Sequence, residues 1–224
     1  MKVLITGTAS GIGKAAALLF LEKGHHVFGI DKNERVINHK NYTHYIADIT
    51  QKDRLPEIDN VEILINNAGS QTPDDSQIDF DIETNLKGTI YVTQKYAFQP
   101  KIKSVLFNAS VSALNGNEFA GYVASKGGVV SYMKHTAIKL ANNYKATCNA
   151  LCFGGVITEL NKPVMEDKVL WNKIMAVTPL KRWATAEEAA EWIFFMTAVN
   201  TFCTGQAIEV SGGERNCADL FVWE

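Results

Sequence analysis

Val3-Leu-Ile-Thr-Gly-Thr-Ala-Ser-Gly-Ile-Gly13 stands near the start of the chain and joins two different patterns. The apolar run Val3–Ile5 is typical of a short buried strand, and residues 14–23 carry the apolar spacing of a helix. The stretch between them predicts a tight turn from the end of a strand to the N-terminus of a helix. Free backbone N–H groups and the positive end of the helix dipole make such a turn a binding site for phosphate.

Each glycine of this turn has its own physical reason. Gly7 allows the tight turn, Gly11 lets a pyrophosphate approach the backbone, and Gly13 lets the helix pack closely on the strand. Ser10 and Ile12 lie in the same turn, and the Ser10 hydroxyl could either cap the helix or touch phosphate. Taken alone, the glycines are equally consistent with a plain turn, so the interpretation depends on residues further along the chain.

A second apolar run, His26-Val-Phe-Gly-Ile30, ends at Asp31, which lies 18 residues after Gly13. A carboxylate there can accept hydrogen bonds from both ribose hydroxyls of an adenosine, and it would repel a 2′-phosphate. The position therefore favours NAD over NADP. Lys32 comes immediately after it and argues the other way, since a basic side chain beside the ribose could accommodate the phosphate.

Tyr122-Val-Ala-Ser-Lys126 puts a phenol and an ammonium on one face of a predicted helix, one turn apart. Holding a tyrosine as phenolate near pH 7 takes about 4 kcal/mol of electrostatic help, because its pKa is ordinarily near 10. A fixed ammonium one turn away is a direct source of that help. The pair predicts a proton-transfer site; the alternative is an ordinary solvated helix face.

These features resemble the classical short-chain dehydrogenase/reductase family, and the resemblance runs from the first residue to about Gly213. The glycine turn matches the family's TGxxxGxG motif and the tyrosine–lysine pair its YxxxK motif. Asn66-Asn-Ala-Gly69 matches the NNAG motif, and Asp48-Ile49 matches the pair that contacts adenine. The resemblance implies a single-domain α/β Rossmann fold. It also implies an oxidoreductase that moves a hydride between a nicotinamide cofactor and a secondary alcohol or ketone.

The resemblance implies a role for each site residue. Tyr122 would be the acid or base on the substrate oxygen, Ser110 would orient that oxygen, and both would contact the substrate. Lys126 would lower the pKa of Tyr122 and hold the nicotinamide ribose. Asn85 would order a water chain, or would be a helix-kink asparagine that satisfies a backbone carbonyl. The implied cofactor-binding residues are Gly7, Ser10, Gly11, Ile12, Gly13, Asp31, Asp48, Ile49, Asn67, Ala68, Gly69, Tyr122, Lys126, Val156 and Thr158, the last with a helix N-cap as its alternative.

Several departures from the family pattern lie near this site. Ser110 stands 12 residues before the tyrosine, about one fewer than usual, which leaves Ser112 as an alternative serine. Gly154-Gly155 replaces the usual Pro-Gly, and we expect it to loosen a turn beside the nicotinamide. Ser211 stands where an aspartate is common. None of these positions belongs to the proton-transfer set.

Apolar runs alternate with helical patterns along the chain. This alternation predicts a doubly wound, mostly parallel sheet with helices on both faces and the ligand at the carboxyl ends of the strands. We expect one domain over residues 1–224, with a substrate lid around 159–175. The 12 residues between Asp48 and Val61 are too few for the usual crossover helix. Predicted strands are 2–6, 25–30, 43–47, 61–65, 103–109, 146–152 and 206–210; predicted helices are 12–23, 79–98, 120–143 and 186–198, with a short one near 163–175.

Composition limits the other classes of function. The 224 residues suit one domain, and 46% hydrophobic content is enough for a large core. The formal net charge of −2, without a run of like charges, argues against nucleic acid or an anionic membrane surface as a partner. The longest apolar stretch, 15–21, is too short to span a bilayer. The four cysteines form no CxxC pair, which indicates buried thiols in a cytoplasmic protein. The histidines share no metal-ligand spacing with cysteines or carboxylates, so we expect no catalytic metal.

Substrate and assembly are open at this level. The apolar residues of 159–173 suit a hydrophobic alcohol or ketone, but they could equally pack on a neighbouring helix or subunit. The polar loop 70–77 could instead face a sugar or polyol. Small residues around Tyr122 fit the homodimer or homotetramer interface that the resemblance implies, or tight internal packing. The rival functions are a lyase or epimerase on the same fold and a non-catalytic NAD-responsive binder; the intact glycine turn and tyrosine argue against both.

Overall fold

A computed structural model describes residues 1–73 and 75–214, and Cys217 lies outside them. The strands of the described chain are β1 (Lys2–Thr6), β2 (His26–Asp31), β3 (Tyr42–Ile46), β4 (Ile63–Asn66), β5 (Ser104–Ser110), β6 (Thr147–Phe153), β7 (Val156–Ile157), β8 (Ala184–Thr185) and β9 (Ala207–Val210). Seven of them form one parallel sheet in the order β3-β2-β1-β4-β5-β6-β9, and the two short strands β7 and β8 pair separately.

Helices cover both faces of the sheet. Two π-helical turns lie among these helices. One, Ile82–Gly88, joins the helix that ends at Asp81 to the helix that begins at Thr89, and the other, Phe195–Val199, continues the helix that ends at Phe194. The α-helices are α1 (Gly11–Glu22), α2 (Ile78–Asp81), α3 (Thr89–Tyr96), α4 (Ser112–Asn115), α5 (Ala120–Tyr144), α6 (Lys162–Glu166), α7 (Lys168–Val177) and α8 (Ala186–Phe194).

Burial along β1 shows how the two layers form. Val3 and Ile5 belong to one hydrophobic cluster, with Phe20 of α1 and Ile193 of α8. Leu4, between them, belongs to the opposite cluster, which contains residues of α3 and α5. All five of these side chains have no exposed surface, and burying each one contributes about 1.5–3 kcal/mol. A strand buried on both faces needs a continuous apolar run rather than an alternating one.

The order of the strands positions the site. β1 pairs with β2 on one side and with β4 on the other, so the chain changes direction across the sheet at this point. In parallel sheets a ligand binds at the carboxyl ends of the strands beside such a switch. The residues that come after β1, β2 and β4, and Ser110 at the end of β5, therefore lie along one edge.

The predicted doubly wound α/β fold is confirmed. Each predicted strand agrees with an observed one to within two residues. The helix predicted at 79–98 is interrupted by the π-helical turn at 82–88, and the helix predicted near 163–175 is two helices, α6 and α7. Between Asp48 and Val61 the only helical element of the described chain is the 3₁₀ turn Lys52–Arg54, as the short connection requires.

Candidate active site

The glycine turn after β1 is packed too closely for side chains. The Gly7 N–H donates to the Ile30 carbonyl over 2.8 Å, which ties the turn to β2. Gly7 has a φ of +76°, and a Cβ there would lie 2.9 Å from the Cα of Ala68. A Cβ on Gly13 would lie 2.0 Å from the Gly7 carbonyl oxygen. The backbone is thus left open to a phosphate group at the start of α1.

Gly11 and Thr158, distant in sequence, meet beside this turn. A Cβ on Gly11 would lie 3.3 Å from the Thr158 methyl group. Ser10 is the N-cap residue of α1, and Thr158 has that position before the turn at 159–161, yet neither side chain makes a capping hydrogen bond with the described chain. The capping alternatives are therefore not supported, and Ser10, Ile12, Val156 and Thr158 all line one cleft.

Asn67 braces the turn from the neighbouring strand. Its Nδ2 donates to the carbonyls of Thr6 and Gly7 over 3.0 and 3.3 Å, and its Oδ1 accepts from Asn108 over 2.7 Å. The Thr6 hydroxyl accepts the backbone N–H groups of Asn67 and Ala68, each over 3.0 Å. The side chain of Asn67 thus fixes the conformation of the glycine turn. Sequence reasoning did not assign Thr6, whose only signal was its place at the end of β1.

Asp31 ends β2 and is 8% exposed. One carboxylate oxygen accepts the Ala9 N–H and the other the Asn33 N–H, both over 2.9 Å. The carboxylate is therefore fixed at the rim of the cleft, beside the glycine turn. The Lys32 ammonium, the competing signal, lies 6.0 Å from the ring centre of Phe80 in the same cleft.

Asp48 and Ile49 also line this cleft. Asp48 Oδ1 accepts the N–H and the hydroxyl of Thr50 over 2.9 and 2.8 Å, which fixes the loop after β3. Ile49 is 6% exposed, and a Cβ on Gly88 would lie 2.8 Å from its Cδ1. These contacts give the adenine end of the expected site one apolar wall and one carboxylate.

Asn85 lies inside the π-helical turn at 82–88 and is buried. Its Oδ1 accepts the Ser70 N–H over 2.7 Å, and its Nδ2 donates to the Ser70 carbonyl over 2.9 Å and to the Ser125 hydroxyl over 3.0 Å. This is the kink asparagine that satisfies backbone groups. A Cβ on Gly69 would lie 2.9 Å from Asn85 Oδ1 and 3.4 Å from Lys126 Nζ, so the NNAG turn, Asn85 and Lys126 are neighbours.

Ser110, Tyr122 and Lys126 meet where β5 and α5 approach the carboxyl edge of the sheet. Lys126 Nζ lies 5.6 Å from the Tyr122 ring centre and donates to the Asn108 carbonyl over 3.0 Å. The Ser110 hydroxyl lies close enough to the Tyr122 phenol to oppose the rise of its pKa. Lys126 is 6% and Ser110 5% exposed. All three line the same cleft as the glycine turn.

The pKa values of this pair differ from the expectation. Burial raises the pKa of Tyr122 above that of a free phenol, the nearby Ser110 hydroxyl opposes the rise, and the carboxylates of Glu118 and Asp81 add to it. Burial also lowers the pKa of Lys126 to about 8. In the polypeptide alone the pKa of Tyr122 is thus raised, and the lowering expected from Lys126 is absent. The free-energy cost of removing a phenolate from water exceeds the stabilisation that the nearby groups provide.

Ser112 and Glu118 extend this group and were not predicted as a unit. The hydroxyls of Ser110 and Ser112 lie 2.9 Å apart, and the Ser112 N–H donates to Ser110 Oγ over 3.2 Å. The Glu118 carboxylate accepts from Gln71 Nε2 over 3.0 Å, and the nearby Ser112 hydroxyl acts to lower its pKa. Ser112, weighed only as a substitute for Ser110, is therefore its partner.

Known proteins give this geometry a context. A family model described as enoyl-(acyl carrier protein) reductase matches residues 7–214. The chain belongs to the short-chain dehydrogenase/reductase family. Members of this oxidoreductase family use nicotinamide cofactors.

Two curated members illustrate the similarity. The chain is 30% identical to 3-oxoacyl-[acyl-carrier-protein] reductase FabG of Thermotoga maritima, over 94% of this chain and 96% of that protein. It is also 30% identical to an NAD-dependent glycerol dehydrogenase of Listeria innocua, over 94% and 92%. The structure of Thermoplasma acidophilum aldohexose dehydrogenase has the same fold, with a TM-score of 0.86 at 24% identity over 100% of this chain and 97% of that one.

One family departure has a physical explanation. A Cβ on Gly154 would lie 2.6 Å from a carboxylate oxygen of Glu214, and a Cβ on Gly155 would lie 2.0 Å from the Trp183 indole. The Glu214 carboxylate accepts a hydrogen bond from the Thr178 hydroxyl over 3.4 Å, and the nearby Gly155 N–H acts to lower its pKa. The Glu214 carboxylate therefore fills the space beside Gly154 where the family's proline would lie, and the Trp183 indole packs on Gly155. The looser turn stays an expectation.

The segment expected as a lid borders the cleft from the other side. Between residues 159 and 177 no described residue is classed as fully buried. Leu160, Val164 and Leu170 line the cleft, whose volume is about 1200 Å³. Val169 is 67% exposed, and Trp171 packs edge-on against Trp183 with ring centres 4.8 Å apart.

Other expectations concern residues outside the cleft. Cys148 and Cys152 are buried and Cys203 is half-buried. In the part of the chain that the structure describes, no three or more His, Cys, Asp or Glu side chains are grouped to hold a metal ion. In the same part, no helix combines the length and apolarity needed to cross a bilayer.

Proposed function

We propose that this protein transfers a hydride between a nicotinamide cofactor, with NAD preferred, and a secondary alcohol or ketone. The observation that carries the proposal is the meeting of Ser110, Tyr122 and Lys126 in one cleft with the glycine turn and Asp31. The turn excludes side chains and presents backbone N–H groups, as a pyrophosphate requires. The bound nicotinamide would supply the acceptor or donor of the hydride.

The protein's own residues manage the substrate oxygen and its proton. Tyr122 removes the hydroxyl proton when an alcohol is oxidised and returns it when a ketone is reduced. Ser110 orients the reacting oxygen, and the Lys126 ammonium, with the positive charge of an oxidised nicotinamide, favours the phenolate against the cost of burial. General acid–base catalysis of this kind contributes a factor of about 10²–10⁴.

The preference for NAD follows from Asp31. Its carboxylate is fixed by two backbone N–H groups, so it cannot easily turn away from a 2′-phosphate. Both oxygens retain lone pairs for ribose hydroxyls. The Listeria relative named as NAD-dependent supports the same choice.

The remaining features complete the proposal. Residues 1–224 act as one cofactor-binding domain, and 159–175 close over the substrate. Asn85 orders water between Lys126 and solvent in addition to holding Ser70. We place the protein in the cytoplasm as a homodimer or homotetramer, without nucleic acid, membrane or catalytic metal as a partner.

The experiment is a panel of alcohols and ketones monitored by nicotinamide absorbance, with NAD and NADP in parallel. The panel should include hydrophobic alcohols, polyols and sugars, because apolar lid residues and the polar loop 70–77 both border the cleft. We expect turnover with at least one substrate and loss of that turnover in Ser110→Ala. Cofactor binding without turnover of any panel member would favour the non-catalytic binder.

A further inference from the structure

Tyr42 connects the glycine turn to the loop that follows Asp31. The hydroxyls of Tyr42 and Thr8 lie 2.8 Å apart, and the Tyr42 hydroxyl also lies 2.8 Å from His44 Nδ1. His44 Nε2 in turn lies 2.9 Å from the Asn33 carbonyl oxygen. Thr8 and Tyr42 are 0% and 4% exposed, so bulk water does not replace the hydrogen bond between them.

These groups close a ring of hydrogen bonds around the Asp31 carboxylate. One Asp31 oxygen accepts the Ala9 N–H and the other the Asn33 N–H, both over 2.9 Å. Ala9 is the residue after Thr8, and the Asn33 carbonyl is the group that the imidazole contacts. The two backbone segments that hold the carboxylate are therefore themselves joined, through the Tyr42 hydroxyl and the imidazole beside it.

Hydrogen-bond valence gives this ring a direction. A carbonyl oxygen only accepts, so His44 donates to Asn33 from Nε2, and a neutral imidazole that donates from Nε2 accepts at Nδ1. The Tyr42 hydroxyl therefore donates to His44, and its oxygen accepts from the Thr8 hydroxyl. Burial raises the pKa of Tyr42, which keeps the phenol protonated as this donor.

The surrounding chain is shaped to admit the Tyr42 hydroxyl. Gly29 of β2 faces it, and a Cβ there would lie 2.3 Å from the Tyr42 oxygen and 2.4 Å from Thr8 Oγ1. The loop after β2 packs over the same side chain, because the Arg35 guanidinium carbon lies 5.6 Å from the Tyr42 ring centre and Arg35 Nε donates to the Ile37 carbonyl over 2.6 Å. A tyrosine that only filled the core would not require a glycine opposite its hydroxyl.

We propose that Tyr42 and His44 are positioning residues that fix the Asp31 carboxylate toward the adenosine ribose and so strengthen the discrimination between NAD and NADP. The inference rests on the proposed function, because it concerns the cofactor that the cleft would hold. Tyr42 and His44 are not among the residues that line the cleft, so they act on the cofactor only through Asp31 and the segments that hold it.

Discrimination follows from what the ring restricts. A carboxylate that is already oriented binds the ribose of NAD without a further cost of ordering it. The same carboxylate cannot withdraw from a 2′-phosphate, so the repulsion of NADP is felt in full. When the ring is opened, Asp31 should bind NAD less tightly and repel NADP less strongly. Both changes raise the ratio of the NAD Kd to the NADP Kd.

The test measures both dissociation constants by isothermal titration calorimetry, which requires no known substrate. Tyr42→Phe removes only the hydroxyl and should raise the ratio of the NAD Kd to the NADP Kd about three- to tenfold, as the loss of about one hydrogen bond implies. His44→Leu, at a half-buried position, should raise the ratio similarly. His44→Gln keeps one donor and one acceptor and should recover part of the wild-type ratio.

Tyr45→Phe is the matched control. Tyr45 lies on the same strand but packs against the opposite hydrophobic cluster from Tyr42, so its hydroxyl is not part of the ring. The ratio of the two dissociation constants should be unchanged in this variant. Circular dichroism of each variant without cofactor checks that the fold is retained.

An Asp31→Ser background shows whether the effect passes through the carboxylate. In that background Tyr42→Phe should not change the ratio further, because no carboxylate is left to position. A tyrosine that only stabilised the fold would weaken both cofactors alike. An unchanged ratio in Tyr42→Phe and His44→Leu, or an equal rise with and without Asp31, would overturn the inference.

Failure of this inference differs from failure of the proposed function. If the wild-type protein binds neither nucleotide, the proposed function fails and the inference fails with it. If NAD binds to the wild-type protein and the ratio of the dissociation constants is the same in every ring variant, only this inference fails.

Discussion

Lys126 keeps an ammonium group at a position that is 6% exposed. Burial lowers its pKa from 10.5 to about 8. Each pKa unit corresponds to about 1.4 kcal/mol, so folding the charged side chain costs on the order of 3 kcal/mol. The residue therefore destabilises the fold at neutral pH, which is a cost expected of a functional group and not of a structural one.

Replacing this lysine should separate stability from activity. Below pH 8 the side chain is protonated in both states, and between pH 8 and 10.5 the unfolded state binds more protons, so wild-type stability should rise with pH there. Lys126→Met should increase the free energy of unfolding at pH 7 by up to about 3 kcal/mol. The stability of this variant should not rise with pH between pH 8 and 10.5, and the variant should bind cofactor poorly. Urea unfolding from pH 7 to 10 measures both effects. If Lys126→Met is less stable than the wild type and its stability still rises between pH 8 and 10, the claim that Lys126 is a destabilising buried charge is contradicted.

Asp31 supports a prediction about the cofactor. Asp31→Ser removes the charge that repels a 2′-phosphate and should change the NADP-to-NAD ratio of kcat/KM at least about tenfold toward NADP, equivalent to ~1.4 kcal/mol. Asp53→Ser, which removes one charge from the exposed turn at 52–54, is the control and should leave the ratio unchanged. A wild-type protein that already prefers NADP would mean that Lys32 outweighs the carboxylate.

At the scale of elements, the small residues of α5 have two explanations, tight internal packing and a subunit interface, and its glycines differ in which one they fit. A Cβ on Gly121 would lie 3.0 Å from Ile78, and one on Gly128 would lie 2.8 Å from Leu86, so these glycines serve internal packing. A Cβ on Gly127 would meet no atom within 4 Å. Gly127 therefore does not serve internal packing, and its surface is open to a larger side chain or to the proposed partner subunit.

The two neighbouring glycines allow a matched test. Gly128→Ala should lower the free energy of unfolding by about 1 kcal/mol, because the cost of moving Leu86 is partly offset by the ~1 kcal/mol that alanine gains over glycine in a helix. Gly127→Arg should leave the fold intact by circular dichroism but reduce the mass measured by light scattering, provided that α5 forms the proposed interface. An unchanged oligomer in Gly127→Arg would place the interface on another surface.

Sequence patterns predicted most of these elements because buried strands and amphipathic helices carry strong periodic signals. They could not predict β7 and β8, since two-residue strands have no period, nor the π-helical turn around Asn85, whose residues suit an ordinary helix. At the site, motifs predicted Tyr122 and the glycine turn. Glu118 and Glu214 carry no motif, and they reach the cleft only through tertiary packing from a loop and from the far end of the described chain.

For the whole molecule, the parallel sheet is what turns scattered residues into one site. The glycine turn proposed to hold phosphate comes after β1, the carboxylate proposed to bind ribose ends β2, and the proposed acid–base group lies beyond β5, all along one edge of the sheet. The cleft then continues to the exposed apolar segment at 159–177. This arrangement supports a reaction in which one end of the cleft holds the cofactor and the other holds a substrate under a lid.

The most direct test of this account is the turnover of Tyr122→Phe. Its matched control is Tyr132→Phe, further along the same helix and packed edge-on against Phe107. With the best substrate of the panel, Tyr122→Phe should lower kcat by about 10²–10⁴ while the cofactor Kd changes little, and Tyr132→Phe should keep normal turnover. Near-normal turnover of Tyr122→Phe would contradict the central claim that Tyr122 carries the proton.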